Sequence, residues 1–161
     1  LDGAQRHTGD EAVASCAGRI PFPRSAVEGC EGYWRDDATA RVVDASVDGD
    51  LTQQFPWPTA GGVPFCGERD WLRMLNSIQD AANHADRGTG RNIGVSVTRL
   101  RGLSWSRLDE TLLGNAEYLA AAESVCWTQD FGGHYVAKFH VVPSQQFYQF
   151  VISKHAAIHV A

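Results

Sequence analysis

Cys16, Cys30, Cys66 and Cys126 are the only cysteines of the chain, and no two of them form a CxxC pair. A structural zinc site draws its ligands in close pairs, because one tight turn must aim two side chains at one ion. The wide spacing therefore argues against a metal site, no cofactor motif stands in its place, and two disulfides are the better reading. Such bonds persist in an oxidising compartment, so the chain reads as secreted and extracellular. A start at Leu1 instead of Met fits removal of a signal peptide. Spacing leaves the pairing open. Cys16 with Cys30 or with Cys66 is favoured, because these residues lie in the segment that most needs tethering.

That segment is the first 67 residues, punctuated by "RIPFPRS" (19–25), "FPWPTAGG" (55–62) and "VPFCG" (63–67). Proline fixes φ and removes an N–H, so long regular ladders are not expected there. "ARVVDASV" (40–47) is the best strand candidate, on its β-branched residues. This half reads as a loop-rich jacket held by disulfide, with Phe22, Tyr33, Trp34, Phe55 and Trp57 packing inward. The full 161 residues, 43% hydrophobic and 20% charged, suit a single globular domain over 1–161 with a core of its own. A net charge of −5 argues against a general nucleic-acid coat, and no run is long and apolar enough to span a membrane.

From residue 68 the pattern becomes periodic. Trp71, Leu75, Ile78, Ala82 and Ala85 recur at steps of four and three, which predicts an amphipathic helix ending at the glycines of "DRGTG" (86–90). "NIGVSVTRL" (92–100) predicts a strand with Ile93, Val95 and Val97 on one face. "SRLDETLLGNAEYLAAAESV" (106–125) reads as a second helix, opened by a weak capping box of Ser106 and Asp109 and broken near Gly114. "GTGRNIG" (88–94) resembles a phosphate loop, but it follows a helix and precedes a strand, the reverse of a dinucleotide fingerprint.

The C-terminal stretch reads at period two. Tyr135, Ala137, Phe139 and Val141 take one face, and His134, Val136, Lys138 and His140 take the other. A turn at Pro143 to Gln146 would close a long hairpin, pairing Val142 with Phe147 and setting His134 opposite His155. The stretch from Phe131 onward contains no Asp or Glu, both lysines of the chain (Lys138 and Lys154), and four of its six histidines. An acid-free face of this kind favours an anionic ligand, although a half-solvated sheet would show polar residues there without any function. Its sharpest chemical reading is phosphodiester cleavage, in which His134 and His155 exchange a proton and Lys138 stabilises the developing charge.

These features together predict an α+β fold: an antiparallel sheet with a long C-terminal hairpin, covered by two or more helices, and a loop-rich, disulfide-tethered N-terminal half. The function expected is that of a small secreted binding protein, an effector or toxin serving virulence. It would be a monomer acting without catalysis on an unidentified macromolecular target, with anionic targets fitting the histidine face. The alternative is a secreted ribonuclease-like hydrolase using His134, His155 and Lys138.

Overall fold

A computed structural model describes residues 13, 16–23, 29–31, 35–36, 41–42, 60–99, 104–106 and 108–160. The fold is α+β. Three antiparallel strands, β4 (Ser96–Arg99), β7 (Ala116–Ala120) and β8 (Val125–Thr128), are extended by the short β1 (Cys30–Glu31), which lies parallel to β8 in the order β1-β8-β7-β4. Two small antiparallel pairs stand apart: β2 (Arg35–Asp36) with β3 (Arg41–Val42), and β5 (Ser104–Trp105) with β6 (Leu112–Leu113).

The first long helix, α1 (Glu68–Asp86), buries Trp71, Leu75, Ile78 and Ala82, the stripe expected from its spacing. It stops at Gly88, whose φ of 73° lets Gly88 N–H donate to Ala85 and Thr89 N–H to His84, so two otherwise orphaned carbonyls are satisfied. The strand expected next is β4, shorter than its pattern suggested. Of "ARVVDASV", Arg41 and Val42 form β3 and the remainder lies outside the described residues, as do Tyr33, Trp34, Phe55 and Trp57. Phe22 packs edge-on against Tyr148 at 5.2 Å.

Two expectations are corrected. The described residues of the segment 106–125 form no long helix: they carry β6, β7 and only a 3-10 turn, Ala121–Glu123. Ala116, Tyr118 and Ala120 are buried while Leu119 is exposed, so period two wins there over the helix propensity of Ala, Glu and Leu. Pairing with β4 on one side and β8 on the other supplies the ladder that fixes it.

The long C-terminal hairpin is also absent. Residues Phe131–Val136 form a π-helical turn that runs into the short α2 (Ala137–Phe139), and Gln145–His159 form the long helix α3. His134, Tyr135 and Val136 are all buried, so the division of this stretch into one wet and one apolar face does not hold. His140, in the left-handed region at φ 56°, ends the first piece. What reads as a hairpin turn is a helix start: Ser144 is the N-cap of α3 and its hydroxyl accepts from Phe147 N–H at 3.3 Å. The alternation Tyr148, Phe150, Ile152 conceals the helical set Phe147, Tyr148, Phe150 and Val151, all buried.

One aromatic core joins these parts. Trp71 of α1 stacks on Tyr148 of α3 at 6.0 Å and donates its indole N–H to the Tyr148 carbonyl. Trp127 of β8 stacks on Tyr118 of β7 and tilts against Phe147 and Phe150. Its indole N–H reaches Gln79 of α1 at 3.1 Å, so the buried polar edge is satisfied. Gly132 lets the π-helical turn approach α1 closely, since a Cβ there would sit 2.8 Å from a Leu75 methyl.

Candidate functional site

The loop between β5 and β6 folds back tightly. Ser106 N–H donates to the Thr111 carbonyl, the Ser106 hydroxyl accepts from Leu108 and Asp109 N–H groups, and Asp109 accepts from Thr111 N–H. The two residues read as a capping box therefore close a turn between strands. Against this loop sits the π-helical turn. His134 Nε2 lies 2.8 Å from Ser106 Oγ and 3.4 Å from Asp109 Oδ1, and Lys138, one helical turn further on, places its ammonium 2.7 Å from Asp109 Oδ2. Ser106 and His134 are buried, and the imidazole packs edge-on against Tyr135 and Phe139. The Lys138 ammonium, opposed in part by desolvation and helped by Thr111 and Ser106, holds the Asp109 carboxyl far below the usual carboxylate range.

This set resembles a Ser-His-Asp triad in composition but differs from one in geometry. A triad needs the carboxylate on Nδ1 and the hydroxyl on Nε2, so that one nitrogen is oriented while the other takes the serine proton. Here both oxygens face Nε2. Ser106 Oγ also spends its acceptor capacity on two backbone N–H groups. The arrangement locks the β5–β6 loop onto the π-helical turn.

Of the residues singled out for RNA cleavage, the structure brings His134 and Lys138 to one cluster through Asp109. His155 lies elsewhere, on α3, with its ring 4.3 Å from that of His159. No described contact joins it to His134, and the opposed arrangement expected from a hairpin is not formed. The acid-free cationic face is not formed either, because each lysine meets a carboxylate from another segment: Lys138 meets Asp109, and Lys154 meets Glu123 at 2.7 Å.

Two further polar groupings escaped the sequence reading. Buried Glu68 holds His140 Nδ1 at 2.9 Å with one oxygen and accepts Phe65 N–H with the other, so a carboxylate at the start of α1 braces the end of α2. Only its place in a first helical turn marked it in sequence. A shallow cleft of about 430 Å³ near the ends of α1 and α3 is lined by Ser77, His84, Thr89, Arg91 and His159 among others. Its polar groups are engaged with one another and with backbone: His84 with Thr89, His159 with Ser77, and Arg91 with the Ile158 carbonyl. Among the described residues, no group of three or more His, Cys, Asp or Glu is placed to hold a metal ion. No protein-family model, curated protein or solved structure matches the chain.

Proposed function

We propose that this chain is a small disulfide-stapled extracellular binding protein, effector- or toxin-like, that engages a macromolecular target without catalysis. The bond between Cys16 and Cys66 carries the reading, because such a bond persists where thiols are not kept reduced. The polar cluster supports its second half: the Ser106 hydroxyl, the Asp109 carboxylate and the Lys138 ammonium are spent on one another and on backbone. No described helix is long and apolar enough to cross a membrane. Fractionation of cells that make the protein tests the reading. The expected result is oxidised chain in the medium, whereas chain confined to the cytosol with Cys16 and Cys66 as thiols would overturn it.

A ribonuclease-like reading retains one supporting observation, the meeting of His134 and Lys138 on Asp109. Incubation with RNA from pH 5 to 8 separates the two. Cleavage that disappears in His134→Ala, with the fold kept, would replace the binder by the hydrolase. RNA left intact would remove the hydrolase.

A further inference from the structure

The bond between Cys16 and Cys66 uses two of the chain's four cysteines and leaves Cys30 and Cys126. These two residues, far apart in sequence, are Cα partners where β1 runs parallel to β8. The backbone N–H of Cys126 donates to the Gly29 carbonyl at 2.9 Å, which secures the two strands at that point. Neighbouring strands lie about 4.8 Å apart, and residues in register share one face of the pleat. A disulfide spans Cα separations of about 4.4 to 6.8 Å.

We propose that Cys30 and Cys126 form a second disulfide, an in-register clasp between β1 and β8. Elimination and register point to it independently: the first leaves only this intramolecular pair, and the second places the pair side by side in the sheet. The reaction is thiol–disulfide exchange with an oxidised dithiol of the secretory compartment. One thiolate attacks the donor's S–S bond to form a mixed disulfide, and the second thiolate displaces the donor sulfur. The chain loses two electrons and two protons, and the donor leaves as two thiols.

The clasp holds more than a short strand. Gly29 N–H donates to Ser144 Oγ at 3.1 Å, and Glu31 Oε1 accepts from Ser144 N–H at 3.2 Å. Residues on either side of Cys30 thus build the cap of α3, the helix whose Phe147 and Phe150 rest on Trp127. Joining Cys30 to β8 fixes that cap to the sheet. Through it, the N-terminal segment becomes a covalent part of the core.

The test uses the whole chain, purified oxidised, alkylated under denaturing conditions without reduction, digested, and mapped by mass spectrometry. The expected result is no alkylated cysteine and a joined peptide pair containing Cys30 and Cys126, about 2 Da lighter than the two thiol peptides together. Alkylated Cys30 and Cys126 beside an intact bond between Cys16 and Cys66 would overturn the clasp and leave the extracellular reading standing. A second readout compares Cys30→Ser, Cys126→Ser and the double variant. If the bond exists, all three lose the same crosslink, and each Tm falls by a similar amount on the order of 10 °C. Small losses that add in the double variant would overturn the proposal.

Discussion

His134 fills a buried position where its ring packs on two aromatic side chains and its Nε2 meets a serine hydroxyl. Replacing it with Ala leaves that hydroxyl facing a void. The expected loss is about 1 kcal/mol for the lost hydrogen bond, since the hydroxyl keeps its two backbone donors, with lost ring packing in addition. Lys138→Met removes an ion pair whose ammonium side is more than half exposed, and it should cost no more than about 1 kcal/mol. Urea denaturation of the two variants checks the order, and a larger loss at Lys138 would contradict the reading of His134 as the more deeply packed member of the cluster. Acid adds a separate test. Folding depresses the Asp109 carboxyl, so its contribution is present above the ordinary carboxylate pKa of about 3.9 and disappears as pH falls through the lower folded value. Wild type should therefore exceed Asp109→Asn in stability at pH 6, and the gap should narrow as pH approaches 2. A gap independent of pH would place the effect elsewhere. Composition pointed to His134 and Lys138, because an acid-free run with both lysines is visible in one dimension. Their partner Asp109, 29 residues upstream of Lys138, is not, since only the fold brings the β5–β6 loop to the π-helical turn.

Among the elements, α1 was legible because its apolar residues follow one helical stripe and a glycine ends it. For α3 the pattern was ambiguous. Phe147, Tyr148, Phe150, Val151 and Ile152 are apolar on nearly all sides, and a run of that kind satisfies period two as readily as a helix. The capping serine decides the matter, but its signal competes with the turn propensity of the Pro143-Ser144 pair. Substitution distinguishes the readings. Gln149→Pro lies on an exposed mid-helix position and should cost about 3 kcal/mol or more, with loss of far-UV helical signal. Phe147→Ala, at a fully buried ring, should cost about 3–5 kcal/mol, whereas half-buried Phe139 should cost less. Equal losses at the two phenylalanines, with Gln149→Pro tolerated, would revive the hairpin. The strand β7 was missed for the opposite reason: its Ala, Glu and Leu favour helix, and only pairing with β4 and β8 overrides them.

At the scale of the whole molecule, the cysteines announced covalent tethering of the N-terminal half, and one of the partners left open for Cys16 is the one found. The sheet order was not legible, because placing residue 30 beside residue 126 depends on a long-range parallel pairing with no local pattern behind it. The bond from Cys16 reaches the residue two before α1 begins, and nearby Val13 accepts the Tyr148 hydroxyl through its carbonyl at 2.8 Å. Cys16 is therefore tied to the start of α1 by the bond, and Val13 to α3 by a buried hydrogen bond. Opening the 50-residue separation between the two cysteines restores chain entropy to the unfolded state, worth up to about 4 kcal/mol. The double variant Cys16→Ser/Cys66→Ser should lose stability on that scale, and amide exchange should locate the loss. Protection should fall first at residues 16–20, whose buried side chains number few beside those of α1 and α3, and last in the middle of α1. Uniform loss of protection along the chain would mean that the bond holds the entire core, and that the N-terminal half is no separate jacket.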